Sequence, residues 1–287
     1  MLNGGDVSNN QGVIDWTVNP WAFAVIKGTE GTDFQDESLA PNWQGAVARG
    51  LVPWTYHFGR PFAPGTSGHA EAEYHLNWVG PQTGGIQVGQ GFGALDLEDD
   101  TDPTADLYGY AMDYFGVIDR ALGYKAPLYS RNGDGYMDRH NLTGHTDLCQ
   151  HPLWLASPGN PNPAVPKGWQ TALFVQRSWS GQVPGINGLV DLDTFNGTVD
   201  QLKALGWGNI VPPLAGQPVD PPPTVAVNAQ FEATNIGAAA LTVSQEALAI
   251  YWQLSTIAPT RGDQAAAVMQ LKANADAIVR CFGLLGA

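Results

Sequence analysis

The triplet Asp96-Leu97-Glu98 sets two carboxylates two residues apart at the end of an apolar run, Phe92-Gly93-Ala94-Leu95. On a strand, residues i and i+2 point to one face, about 6.6–7 Å apart along the chain. A polar pair ending an apolar strand is costly to bury without a purpose. Two more carboxylates, Asp6 and Asp191, stand at the ends of other apolar runs. Where such groups meet, neighbouring negative charge keeps a proton on one carboxyl near neutral pH while another stays ionised. Cleavage of a glycosidic bond uses that division of labour. A protonated carboxyl releases the leaving oxygen, and an ionised one stabilises positive charge at the anomeric carbon. The run Glu98-Asp99-Asp100-Thr101-Asp102 also reads as a solvated acidic loop, so the triplet by itself leaves both readings open.

Other chemistries find less support. His140, His145, Cys149 and His151 fall within twelve residues, but their spacing fits no zinc pattern. Asn132-Gly133-Asp134-Gly135-Tyr136-Met137-Asp138 lacks the terminal Glu of a calcium loop and reads as a turn. Gly89-Gln90-Gly91-Phe92-Gly93 precedes a strand rather than following one, so it is no nucleotide fingerprint. No serine sits in a Gly-x-Ser-x-Gly elbow. Neither a metal nor a cofactor is expected.

The acidic residues need a scaffold, and the chain shows one. Apolar runs predict strands at Gly4–Ser8, Phe23–Lys27, Leu51–Phe58, Phe92–Leu97, Ala126–Ser130, Leu153–Ser157, Leu173–Gln176 and Leu189–Leu192. Helical spacing marks Leu39–Arg49, Thr66–Val79 and Asp106–Leu122 between them. Eight strands interleaved with helices predict an α/β fold, an irregular β/α barrel. Some connections are too short for a full helix, so fewer than eight helices are expected. In such a barrel the site lies at the C-terminal strand ends. Lys27, Gln176, Tyr56, Tyr129 and Trp154 stand at or after strand ends and are candidate substrate contacts.

Six prolines within residues 211–224 exclude a helix interior or central strand and predict an extended linker. It divides a barrel over residues 1–210 from a small helical domain over 225–287. In that tail, Thr242 and Gln245 form a capping-box pair, and Pro259 and Gly262 end the first helix. Asp263 caps a second, whose Val268, Leu271, Ile278, Val279, Phe282 and Leu285 lie close to one face. A hairpin this small buries too little area to stand firmly alone, which points to homo-oligomerisation or docking, with cell-wall binding as the other reading.

The chain has 287 residues, 44% of them hydrophobic, with ten Trp, ten Phe and nine Tyr, which excludes disorder throughout. Thirteen basic residues stand against 27 acidic ones, for a net charge of −14. That balance argues against nucleic acid as partner and against electrostatic adhesion to anionic walls or membranes. No apolar run is long enough to span a bilayer, so no membrane insertion is expected. Cys149 and Cys281 lie far apart and read as free buried thiols. Met1 is followed by Leu-Asn-Gly-Gly-Asp, without a basic or apolar leader. The expectation is synthesis in a cytoplasm.

Seven blocks in series carry a family resemblance. They are Asp6-Val7-Ser8-Asn9-Asn10-Gln11-Gly12-Val13-Ile14-Asp15-Trp16, then Phe23-Ala24-Val25-Ile26-Lys27-Gly28-Thr29-Glu30-Gly31, Tyr56-His57-Phe58 and Leu95-Asp96-Leu97-Glu98. Pro127-Leu128-Tyr129-Ser130, Leu153-Trp154-Leu155-Ala156 and Pro184-Gly185-Ile186 leading to Val190-Asp191-Leu192 complete them. Their order and spacing over roughly residues 3–197 resemble glycoside hydrolase family 25, the Chalaropsis-type lysozymes. The resemblance implies a flattened, incomplete barrel that cleaves the β-1,4 bond between N-acetylmuramic acid and N-acetylglucosamine in peptidoglycan. It implies Glu98 as general acid, Asp96 and Asp191 as charged partners and Asp6 as the completing group. It further implies retention of configuration, either by direct carboxylate attack or, as we favour, by assistance from the substrate's 2-acetamido group. Tyr56, Tyr129 and Trp154 match groove-lining positions, while His57 is read as packing and hydrogen-bonding.

This sequence departs from the family at Phe34, where Tyr is frequent, at Asp193, where Asn is frequent, and at Ser157-Pro158, where an aromatic is common. The absent leader and the tail behind its linker suggest a bacteriophage endolysin that reaches the wall after another protein permeabilises the membrane. A chitinase-like barrel is the enzymatic alternative, although the extra upstream Asp of its acidic motif is missing here. A non-catalytic sugar-binding barrel is the third reading.

Overall fold

A computed structural model describes residues 1–85 and 89–206 of the chain. The linker and the helical tail expected over 211–287 lie outside the described residues. In chain order the elements are β1 (Leu2–Val7), β2 (Phe23–Glu30), β3 (Phe34–Gln35), α1 (Leu39–Arg49), β4 (Val52–Phe58), α2 (Gly68–Thr83) and β5 (Gly91–Asp96). There follow α3 (Tyr108–Leu122), β6 (Leu128–Arg131), α4 (Tyr136–Arg139), β7 (Leu153–Ala156), β8 (Phe174–Gly181), β9 (Val190–Phe195) and α5 (Val199–Gly206).

Eight strands close into a barrel in the order β1-β9-β8-β7-β6-β5-β4-β2, with β2 pairing back onto β1 and β3 hanging from β2 as a short hairpin arm. From β1 round through β2, β4, β5, β6, β7 and β8 the neighbours run parallel. The closing strand β9 runs antiparallel to both β8 and β1. The physical reason is the connection. Only residues 182–189 separate β8 from β9, and a parallel crossover needs a dozen or more residues. The sequence reading placed Asp191 near the end of its strand. It stands instead second in β9, and the reversal alone carries it to the rim formed by the C-terminal ends of the parallel strands.

Five α-helices occur among the described residues, and the connection between β7 and β8 has none. Helix α1 buries Leu39, Trp43 and Ala46 at helical spacing and ends on Gly50 in the left-handed conformation. Helix α2 starts after Ser67, whose side chain accepts from Ala70 N, and runs on to Thr83, four residues past the boundary expected at Val79. Helix α3 buries Ala111, Tyr114, Phe115, Ile118 and Leu122. Among the described residues no helix is long and apolar enough to cross a membrane.

The barrel interior is aromatic. Phe174 contacts Phe23, Trp54, Trp154 and Phe195, with ring centroids 4.9–6.3 Å apart. Glycine makes the closest strand approaches. A Cβ on Gly91 would lie 2.0 Å from the Trp54 ring, and one on Gly5 would lie 2.3 Å from the Asp191 carbonyl oxygen. Gly5 thus lets β1 and β9 draw together beside the residues that carry Asp6 and Asp191.

Candidate active site

Asp6 is the penultimate residue of β1, Asp96 the last of β5, and Glu98 stands two beyond it. With β9 reversed, Asp191 joins them at the same rim, and Asp193 follows on the same face of its strand. The four carboxylates expected from sequence therefore converge, and Asp193 adds a fifth.

Gln176 on β8 ties the cluster together. Its Nε2 donates to Asp6 Oδ2 at 2.9 Å and to Asp191 Oδ2 at 3.2 Å. Its Oε1 accepts from Tyr129 Oη at 3.0 Å and from Trp179 Nε1 at 2.8 Å. All four hydrogen-bonding positions of this amide are used, so its orientation is set by its neighbours. Trp154 Nε1 donates to Asp193 Oδ1 at 2.7 Å. The rings of Tyr56 and Tyr129 meet Trp154 edge-on at 6.3 and 4.7 Å. All three aromatic residues are buried, so they form a floor beneath the carboxylates. Trp179, by contrast, is 60% exposed beside Gln176.

Lys27 lies at the same rim, but its hydrogen bond goes to Glu30 at 2.5 Å, and it sits over the rings of Phe34 and Phe58. Arg60 binds the same Glu30 through Nε at 2.7 Å. His57 is fully buried on the barrel wall under α2, between Thr29 and Glu71.

The loop that carries Glu98 is pinned from the segment that follows it in the barrel. Ser130 Oγ donates to the Leu97 carbonyl at 2.7 Å, and Tyr136 Oη to that of Asp99 at 2.9 Å. Asp100 receives Arg139 at 2.5 Å, Arg131 at 3.3 Å and His140 at 3.0 Å. The acidic run thus belongs to a clamp, not to a freely solvated loop. Its arginines hold the Asp100 carboxyl down at about 2.

Burial pushes the carboxyls gathered at the strand-end rim the other way. Desolvation, then Asp193, raise Asp6 well above the usual carboxylate range. Desolvation, then the charges of Glu98 and Asp6, raise Asp96. Desolvation also raises Glu98, against the pull of Arg131. Burial and Asp6 push Asp191 up to about 7, and burial pushes Asp193 to about 7. Asp96 is 8% exposed and its Oδ1 has no hydrogen-bond donor. All five carboxyls thus hold their protons more tightly than free ones, which suits proton donation and return. Among the described residues no group of His, Cys, Asp and Glu is arranged to hold a metal ion.

The comparisons agree with this geometry. The model of glycosyl hydrolases family 25 matches residues 5–186. The chain belongs to that family. It is a glycoside hydrolase. The family 25 chain is 34% identical over 214 residues to Lysozyme M1 of Streptomyces globisporus, covering 71% of each. It is 30% identical over 224 residues to an N,O-diacetylmuramidase of Arthroderma benhamiae, covering 72% of this chain and 87% of that one. The solved bacterial lysozyme of Streptomyces coelicolor superposes with a TM-score of 0.64 at 29% identity, covering 71% of this chain and 96% of that one.

Sequence reasoning noted Asp193 only as a departure and missed Trp179, Asp100 and Arg131. A signal for Asp193 was present. Asp191-Leu192-Asp193 repeats the i, i+2 spacing of Asp96 and Glu98. Trp179 had none, because its position depends on β8 running beyond Gln176 to Gly181.

Proposed function

We propose that this family 25 hydrolase is a peptidoglycan muramidase that cleaves the β-1,4 bond between N-acetylmuramic acid and N-acetylglucosamine with retention. The observation that carries the reading is the convergence of Asp6, Asp96, Glu98 and Asp191 at one rim, from β1, β5 and β9. The names of the lysozyme and diacetylmuramidase relatives support the substrate class.

Glu98 is the acid. It is more exposed than Asp96, and burial keeps its proton on. It protonates the glycosidic oxygen as the bond from that oxygen to C1 breaks. The carbonyl oxygen of the substrate's 2-acetamido group bonds to C1 and gives an oxazolinium ion. Asp191 or Asp96, ionised, accepts the acetamido N–H and stabilises the positive charge. Glu98, now a carboxylate, takes a proton from water as that water attacks C1 and opens the ring, so configuration is retained. Trp179 offers an exposed face for a sugar ring at the same rim.

We extend the proposal to an endolysin that is made in a host cytoplasm and reaches the wall after membrane permeabilisation. In it, residues 225–287 behind the proline-rich linker serve oligomerisation, docking or wall binding. One variant tests the core of the reading. On purified peptidoglycan the wild type releases N-acetylmuramic reducing ends. Glu98→Gln loses about 10²–10⁴-fold in rate. Expressed in a host whose membrane has been permeabilised, the wild type lyses the culture and the variant does not. Equal activity of the two proteins rejects Glu98 as the acid.

A further inference from the structure

Glu71, in the first turn of α2, is buried and takes four hydrogen bonds. Its Oε2 accepts from Tyr110 Oη at 2.6 Å, His57 Nε2 at 2.7 Å and the Arg60 backbone N–H at 3.0 Å. Its Oε1 accepts from Thr66 Oγ1 at 2.6 Å. An apolar side chain would seat α2 on the barrel at less cost, so a buried carboxylate here answers to what only an acceptor can hold. Behind it runs a chain of neutral groups, because burial lowers both His57 and His75. With Glu71 as acceptor, the His57 hydrogen is on Nε2, and Nδ1 accepts from Thr29 Oγ1 at 2.8 Å. Thr29 Oγ1 accepts from His75 Nδ1 at 2.7 Å, and His75 Nε2 accepts from Thr55 Oγ1 at 3.1 Å. Thr55 Oγ1 accepts from the Gly93 N–H at 3.3 Å. Each group gives one hydrogen and takes one, so the chain runs one way, from β5 through β4 and β2 to Glu71, and sets the orientation of its carboxylate.

The Arg60 N–H is the contact that leads from Glu71 to the rim. The neighbouring Gly59 N–H donates to the Asp96 carbonyl oxygen at 2.8 Å, where Phe58 and Asp96 stand in register. The Arg60 guanidinium reaches Asp99 Oδ2 at 3.5 Å. The Gly59–Arg60 turn therefore holds the chain on both sides of Glu98, at Asp96 and at Asp99. Asp96 Oδ1 has no donor, so the aim of its carboxyl depends on the backbone from which it leaves.

We propose that Glu71 is a positioning residue for the Asp96–Glu98 pair: its carboxylate holds the Gly59–Arg60 turn through the Arg60 N–H, and that turn holds the end of β5 from which both acids project. Glu71 touches no substrate in this role, and no covalent bond forms or breaks. The kinetic part of the test rests on the muramidase reading, and the exchange part does not.

Hydrogen exchange at the Gly59 amide, followed by NMR on the full chain, reads the first link without any substrate. Glu71→Met keeps the length of the side chain and removes both acceptor oxygens. The expected result is at least tenfold faster exchange at Gly59 in E71M than in the wild type, with the Leu128 amide, which donates to the Pro152 carbonyl, unchanged. Equal exchange at Gly59 in the two proteins overturns the proposal. For turnover of peptidoglycan, E71M loses at least tenfold in kcat with KM changed less than threefold. E71Q keeps most of the rate, because its amide oxygen takes the place of Oε2. A wild-type kcat in E71M overturns the proposal, and so does E71Q as impaired as E71M. Should E71M fail to fold, Arg60→Ala and Arg60→Pro decide the matter. Both lack the guanidinium, but only the proline lacks the N–H that Glu71 accepts. A kcat for R60P at least fivefold below that of R60A is expected, and equal values overturn the proposal. Failure of the wild type to cleave peptidoglycan would fall on the muramidase reading alone, with Gly59 exchange still deciding whether Glu71 holds the turn.

Discussion

Gln176 is the side chain on which the most site contacts depend. It is 2% exposed and connects Asp6, Asp191, Tyr129 and Trp179 through one amide. Replacing it by Glu would remove both N–H donors and add a negative charge to a cluster whose carboxyls are already raised. Gln176→Glu is expected to reduce kcat at least tenfold, and to lower the melting temperature at pH 7 more than at pH 5, where the added carboxyl is more readily protonated. Rate assays and melts at the two pH values check this. An unchanged rate would mean that the amide does not align the acids. The residue's type and its place on the eighth predicted strand were legible in the sequence, although β8 runs on past it to Gly181. Its four partners were not, since they come from β1, β6, β8 and β9, up to 170 positions away.

Two elements decide where the acids end up. The first is β9, which must run backwards to bring Asp191 to the rim, closely packed on β1 at Gly5. The second is the loop after β5, whose Asp100 is gripped by Arg131, Arg139 and His140 from the segment around α4. Asp100→Asn weakens that grip and frees Arg131, the cation that already draws the Glu98 proton off. We expect kcat to fall about tenfold with little change in KM, and the alkaline limb of the pH–rate profile, where Glu98 loses its proton, to move to lower pH. A profile parallel to the wild type's would show that the clamp does not position the acid. The three long helices and all eight barrel strands followed from periodicity. The direction of β9 did not, because periodicity carries no sign.

For the molecule as a whole, the buried titratable groups divide into two sets with opposite effects. Burial lowers His57, His75 and His151, the last to about 3. Each binds a proton more readily unfolded than folded, so their contribution to stability rises with pH up to about 6.5 and is constant above it. Burial raises Asp6, Asp96, Glu98, Asp191 and Asp193. These hold protons in the folded state that the unfolded chain releases near pH 4, so their contribution falls with rising pH and continues to fall through about 7. Above pH 6.5 only the second set changes. The melting temperature of the full chain is therefore expected to decline from pH 6.5 to 8 and to be highest on the acid side of neutral. A melting temperature that climbs steadily over that interval would contradict the buried-carboxyl description. The acidic surface, with a net charge of −14, adds self-repulsion in the same direction, and added salt should flatten the decline.

The linear order of residues was enough to establish an α/β barrel and the family, and to single out four acids as candidates for its chemistry. The barrel follows from apolar periodicity and turn residues, the family from the resemblance of seven motif blocks in series, and the candidates from acids at the ends of apolar runs. The bridging of Asp6 and Asp191 by Gln176, the full use of that amide and the clamp on Asp100 were decided only by the closed barrel. Those contacts join side chains from strands distant in sequence, and their protonation follows from burial and mutual repulsion, which exist only once the strands have met.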